Sequence, residues 1–158
     1  ALVIFVYYYN KVVHNRGQRA ETLRSIDIFA EKRRNFLTDL RKALESGGKT
    51  PPDELREAEN ILADFGDAPD MPDRARRLRQ SDDFTAATLL AAGQHKDLQA
   101  QHDFDAVIRS LEKCSDELTG ALRYYNALVR EQHFMVQSFP SGLILRTLGI
   151  SQAEYLQP

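Results

Sequence analysis

The sequence predicts an all-α protein: an up-and-down antiparallel bundle of long helices with a short C-terminal helical hook, its first helix continuous with a membrane segment. Three observations carry that prediction. Apolar residues recur in steps of three and four over two long stretches, which is the period of a helix packed along one seam. Prolines fall outside those stretches and not within them. Tryptophan is absent and only eight of the 158 residues are glycine, a composition poor for a β-sandwich or a glycine-rich phosphate loop.

The first helix is expected over residues 1–46, where no proline occurs. Leu23, Ile26, Ala30, Arg33, Leu37, Leu40 and Leu44 form its seam, and Phe29 and Phe36 widen the stripe enough for a bundle core. Ser46-Gly-Gly-Lys-Thr-Pro-Pro52 ends it, with Thr50 placed to cap the next helix. That second helix, about 51–65, carries Leu55, Ala58, Ile61, Leu62 and Phe65. A loop with Pro69 and Pro72 follows, then a third helix over about 72–92 whose middle is weakened by Ser81, Asp82 and Asp83. The last long helix, about 102–139, has the clearest seam, running from Phe104 through Leu111, Cys114, Leu118, Tyr125 and Gln132 to Phe139. Pro140 stops it, a short apolar helix over 141–148 forms the hook, and Ser151-Gln-Ala-Glu154 has the pattern of a capping box. One domain accommodates all of this, over residues 10–158.

Residues 1–9, Ala-Leu-Val-Ile-Phe-Val-Tyr-Tyr-Tyr, contain no charge. They are too short to span a bilayer, which takes about 20 apolar residues, and read as the exit end of a transmembrane helix that begins before Ala1. Tyrosines at headgroup level followed by Lys11, Arg16, Arg19 and Arg24 against Glu21 alone place the bundle on the cytoplasmic side. The alternatives are a helix end buried in the bundle and the tail of a cleaved signal peptide.

Function classes narrow by chemistry. A formal net charge of -2 disfavours nucleic acid as a partner. No Glu-x-x-His of the di-iron bundles occurs, nor a phosphate loop, a serine elbow or a Rossmann fingerprint. His95 and His102 with Asp97, Asp103 and Asp105 make the nearest thing to a ligand cluster, and caps and loop turns account for these residue types without an ion. Cys114 lies on the core seam, where a thiol acts as a small apolar group. The expectation is therefore no catalytic residue, no metal and no cofactor.

Arg33 stands among core positions, where an unpaired guanidinium is costly. Either it meets a partner, Asp116 or Glu117 on the last helix or Asp27 and the Tyr-Asn groups, and so fixes helix register, or it snorkels to the bundle edge. Asn10 and Asn126, each after a tyrosine, are placed to bond across the two long helices. Arg74, Arg76, Arg77 and Arg79 form the densest basic run, a surface for anionic lipid or an acidic partner.

Three segments resemble the LemA family. They are Tyr9-Asn10, Ser25-Ile26-Asp27 and Lys32-Arg33-Arg34 in the first helix; Asp97-Leu98-Gln99-Ala100 with Phe104; and Tyr125-Asn126, Val129, Phe139-Pro140, Ile144, Leu148-Gly149 and Tyr155. Leu37-Thr38-Asp39-Leu40 and Gln132-His133 depart from the family pattern, as a divergent, MamQ-like magnetosome branch would. The resemblance implies one membrane span and a cytoplasmic bundle at a bacterial inner membrane or an organelle membrane derived from it. Its family has no firmly assigned biochemical activity. The expected function is thus a membrane-anchored, non-catalytic scaffold or adaptor whose partners are lipids, membrane or cytoplasmic proteins, or further copies of itself. Formation of magnetosome membrane is the alternative.

Overall fold

The computed structural model describes residues 2–95, 97, 102–138, 141–150, 153, 155 and 156, with the backbone alone at 102, 141, 144 and 145. The Leu98-Gln99-Ala100 step, the Phe139-Pro140 stop, the capping-box residues Ser151, Gln152 and Glu154, and the side chains of His102 and Ile144 lie outside the described residues. The elements run α1 (Leu2–Ser46), α2 (Asp53–Ala63), a 3-10 turn (Phe65–Asp67), α3 (Met71–Gly93), α4 (His102–Gln137) and α5 (Ser141–Thr147). Among the described residues there is no strand.

At ~1.5 Å per residue, the 45 residues of α1 extend about 65–70 Å and the 36 of α4 about 55 Å. Side-chain pairs give their directions. Asn15 meets Leu128 and Arg33 meets Ser115, so α4 runs antiparallel to α1. Thr38 meets Glu59 of α2, while Asp27 and Arg33 meet Arg74 and Asp82 of α3 in ascending order. The order is therefore up, down, up, down.

The two shorter helices lie against only one half of α1. From about Ile26 to Leu44 the section has four helices, with a core of Ile26, Leu37, Leu40, Leu55, Leu62, Leu78, Leu111 and Leu118. Below Thr22, α1 and α4 continue as a two-rod stem, closed at its outer end by the cluster Val12, Met135, Val136 and Ile150. The hook covers this stem. Gly142 sits so close to the Val136 carbonyl that a Cβ there would overlap it, which is why the chain turns tightly from α4 into α5.

Boundaries follow local chemistry. Gly48 takes φ +71, and the amides of Gly48 and Lys49 donate to the carbonyls of Glu45 and Leu44, a Schellman stop for α1. Thr50 does not cap α2 as expected. The helix starts at Asp53 after Pro52, in extended backbone with no side-chain cap, because two consecutive prolines keep the chain extended past Thr50. The carboxylate of Asp70 caps α3, accepting from the Asp73 amide at 2.8 Å, with Pro72 in the first turn.

The expected membrane segment is not supported at the level of the helix. Among the described residues no helix is long and apolar enough to cross a membrane, since Asn10, Lys11, His14 and Arg16 interrupt the apolar run after Tyr9. The run is not a buried helix end either. Leu2 and Val3 are 76% and 81% exposed, and Ile4, Val6, Tyr7 and Tyr9 are exposed as well.

Candidate functional site

The densest polar constellation in the core surrounds Arg33, where α1, α3 and α4 meet. Its residue is 1% exposed, so the guanidinium does not snorkel to the edge. Nη1 donates to the carboxylate of Asp82 and, at 3.2 Å, to the hydroxyl of Ser81; Nη2 donates to the hydroxyl of Ser115 at 3.2 Å. Nε has no partner among the described residues. The partner is thus on α3, and not Asp116, Glu117 or Asp27. Residues 81–83, read as a weak middle of the third helix, are the segment that carries the counterion.

This placement has a helical cause. The buried face of α3 is Ala75, Leu78, Ser81, Thr85, Thr88 and Ala92, stepping by three and four. Small side chains let a long arginine from α1 enter between the helices, and Asp82, one position off that face, closes on it from the rim with its own side chain 39% exposed. Ser81 and Thr88 return their hydroxyl protons to the Leu78 and Phe84 carbonyls, which satisfies them inside their own helix.

Asn10 and Asn126 do not bond across the rods. Asn10 is exposed, because it lies one helical step off the seam. The cross-rod contact belongs to Asn15, buried on that seam, whose Nδ2 donates to the Leu128 carbonyl at 2.9 Å and whose Oδ1 accepts from Arg19 Nε at 3.0 Å. Burial holds the Arg19 guanidinium below its ordinary range, opposed by the neighbouring Tyr125 hydroxyl. Asn126 instead holds the C-terminal segment: it donates to the Leu156 carbonyl at 2.6 Å and accepts from the Leu156 amide at 2.9 Å. His133 and Tyr155 reinforce that seat, with Nε2 donating to the Ala153 carbonyl at 2.7 Å and the tyrosine hydroxyl 3.3 Å from Nδ1. Asn15 could have been found by extending the 3–4 steps of the seam back through a polar residue.

The basic run is largely spent on internal acids. Arg74 pairs with Asp27 at 2.8 Å and lies over the Phe65 ring; Arg76 and Arg77 both pair with Asp73. The Asp73 carboxyl is held below its usual range, first by the hydrogen bond from Arg76 and then by that from Arg77. Arg79 is exposed and unpaired among the described residues. As a binding surface the run therefore reduces to Arg79 and the outer side of Arg76.

Asp97 pairs with Lys49 at 3.0 Å, and that hydrogen bond first, with a smaller contribution from nearby His95, holds its carboxyl below the usual range; Asp105 pairs with Arg109 at 2.6 Å. No group of three or more His, Cys, Asp or Glu disposed to hold a metal ion is found among the described residues. Burial pushes the Cys114 thiol up, and its proton is donated to the Phe29 carbonyl at 3.3 Å.

The LemA family model matches residues 22–158, well over half of the chain. The chain belongs to the LemA family. Searches of curated proteins and of solved structures returned no match. Within this LemA protein the matched region takes in Arg33, Asp82, Ser115, Asn126 and Tyr155. It leaves out the apolar run, Asn10 and Asn15.

Proposed function

We propose that this LemA protein is a membrane-anchored, non-catalytic helical scaffold: the apolar run at the start of α1 enters a lipid bilayer, and the bundle positions partner proteins beside it. The observation that carries this reading is the exposure of Leu2, Val3, Ile4, Val6, Tyr7 and Tyr9 on a helix that continues without a break into the core. Residues 2–9 cover only ~12 Å, less than half of a ~30 Å hydrocarbon core, so this length reaches into one leaflet. Position is transmitted through α1 as a rod. A scaffold is favoured over an enzyme because the converging polar groups, Arg33, Asp82, Ser81 and Ser115, are engaged with one another in the packed core and do not face a cleft. Partners are lipids and membrane or cytoplasmic proteins, a second copy of the chain included.

Flotation with lipid vesicles tests the anchor. The chain is expected to float, and the variant with Leu2, Val3, Ile4 and Val6 changed to serine to remain at the bottom; equal flotation of the two sinks the reading. Site-specific crosslinking in native membranes tests the scaffold, and recovery of the protein only as an uncrosslinked monomer counts against it.

A second reading, membrane remodelling of the MamQ-like magnetosome kind, draws on the departures from the family pattern. Thr38 bonds Glu59 at 2.6 Å and His133 seats the C-terminal segment, so the substituted positions carry contacts of their own. Tubulation of vesicles by the chain, seen by electron microscopy, would favour it over a passive scaffold.

A further inference from the structure

We propose that the hook and the outer end of α4 form a second contact with the membrane, so that an anionic bilayer lies against Phe134, Leu143 and Leu148 as well as taking up the N-terminal run. This inference rests on the membrane reading above and adds to it how the bundle is seated.

Register brings these residues to the bilayer end. Lys11 pairs with Glu131 at 3.2 Å, and Val12 shares a cluster with Met135, Val136 and Ile150. In the antiparallel register of these pairs the last residue of α4, Gln137, comes level with roughly residues 5–11, so α5 starts within the stretch where the apolar run passes through the tyrosines. Phe134 is 72% exposed and Leu143 65%, with Leu148 and Val13 also open. Such large apolar side chains gathered at one end are a surface awaiting a partner.

Charge selects which partner. Between residues 2 and 16 and between 128 and 150 the cations are Lys11, Arg16, Arg130 and Arg146, and the sole acid is Glu131, already paired with Lys11. Arg130, Arg146 and Arg16 are exposed. Apolar side chains interleaved with cations that, as Arg16, Arg130 and Arg146 do, meet no acid among the described residues are the pattern of an interfacial membrane element on acidic lipid, whereas a protein groove of opposite charge would have to meet aromatic and aliphatic groups spread over three helices. The bundle then rests against the headgroups instead of standing off on α1.

The chain lacks tryptophan, so single reporters can be placed without background. The full chain, tethered through an N-terminal hexahistidine to nickel-chelating lipid in phosphatidylcholine–phosphatidylglycerol vesicles with brominated acyl chains, is compared as Phe5→Trp, Phe134→Trp, Leu143→Trp and Leu90→Trp. Leu90 is 75% exposed at the opposite end of the molecule. Expected is at least a twofold loss of fluorescence at positions 5, 134 and 143 and none at 90. Quenching at 5 but not at 134 or 143 overturns this inference and leaves the anchor standing. No quenching at 5 overturns the underlying reading as well. Quenching at 90 to the same extent also overturns the proposed seating, and undiminished quenching at 134 on purely zwitterionic vesicles overturns the assignment to an anionic surface.

Discussion

Arg33 shows how one residue couples three helices. Its charge is buried among hydroxyls with Asp82 as its one carboxylate partner among the described residues, so removing that partner costs more than removing the arginine. Asp82→Ala is expected to lower stability by about 2 kcal/mol, below the cost of breaking a fully buried pair because the Asp82 side chain is partly solvated. Arg33→Met, which fills the same space and frees Asp82 to hydrate, is expected to cost less than about 1 kcal/mol. Urea midpoints of the two variants check the order; Arg33→Met as the more damaging change would refute it. The same reasoning separates Asn10 from Asn15 in α1. Asn15→Ala loses buried hydrogen bonds and is expected to cost about 1–2 kcal/mol, and exposed Asn10→Ala to stay within about 0.5 kcal/mol. That Arg33 lies on the core seam was legible in the sequence, while its burial, as against snorkelling to the edge, came from the packing. Its counterion was not, since periodicity along one helix cannot say which of three neighbouring helices faces a given turn.

At the scale of elements, the bounds of α1, α3, α4 and α5 fall close to their expected places because glycine and proline act locally. The start of α2 was less legible: Thr50 has a capping side chain, but its two following prolines delay the helix. The first turn of α3 carries an electrostatic device, with Asp73 accepting from Arg76 and Arg77 beside the positive end of the helix. Since the folded pKa of Asp73 lies below its ordinary carboxylate value, the stability it contributes is present above ~3.9 and is lost as pH falls through the lower, folded value. The difference in melting temperature between the native chain and Asp73→Asn should therefore be constant near neutrality and vanish only in strong acid. A difference that disappears between pH 5 and 7 would point to another group.

For the whole molecule, the division into a four-helix section and a two-rod stem sets the order of opening. The buried face of α3 holds small and hydroxylated residues, with Thr85 Oγ1 lacking a partner among the described residues, so α3 gains less from apolar burial than α1 and α4 do. Amide exchange in α3 from Leu78 to Ala92 is expected to be faster than in α1 from Ile26 to Leu44 and in α4 from Leu111 to Val129; equal protection would mean the bundle opens as one unit. The sequence by itself determined the helical class, the two rods, their seams and the place of Arg33 on one of them, because the helical repeat and backbone breakers are properties of neighbouring residues. Only the tertiary structure decided that Asp82 answers Arg33, that Asn15 and not Asn10 bridges the rods, that Asn126 holds the C-terminal segment, and that Arg74, Arg76 and Arg77 of α3 are spent on Asp27 and Asp73. Those choices depend on how the rods are rotated and shifted against each other, and that is settled by packing among residues far apart in the chain.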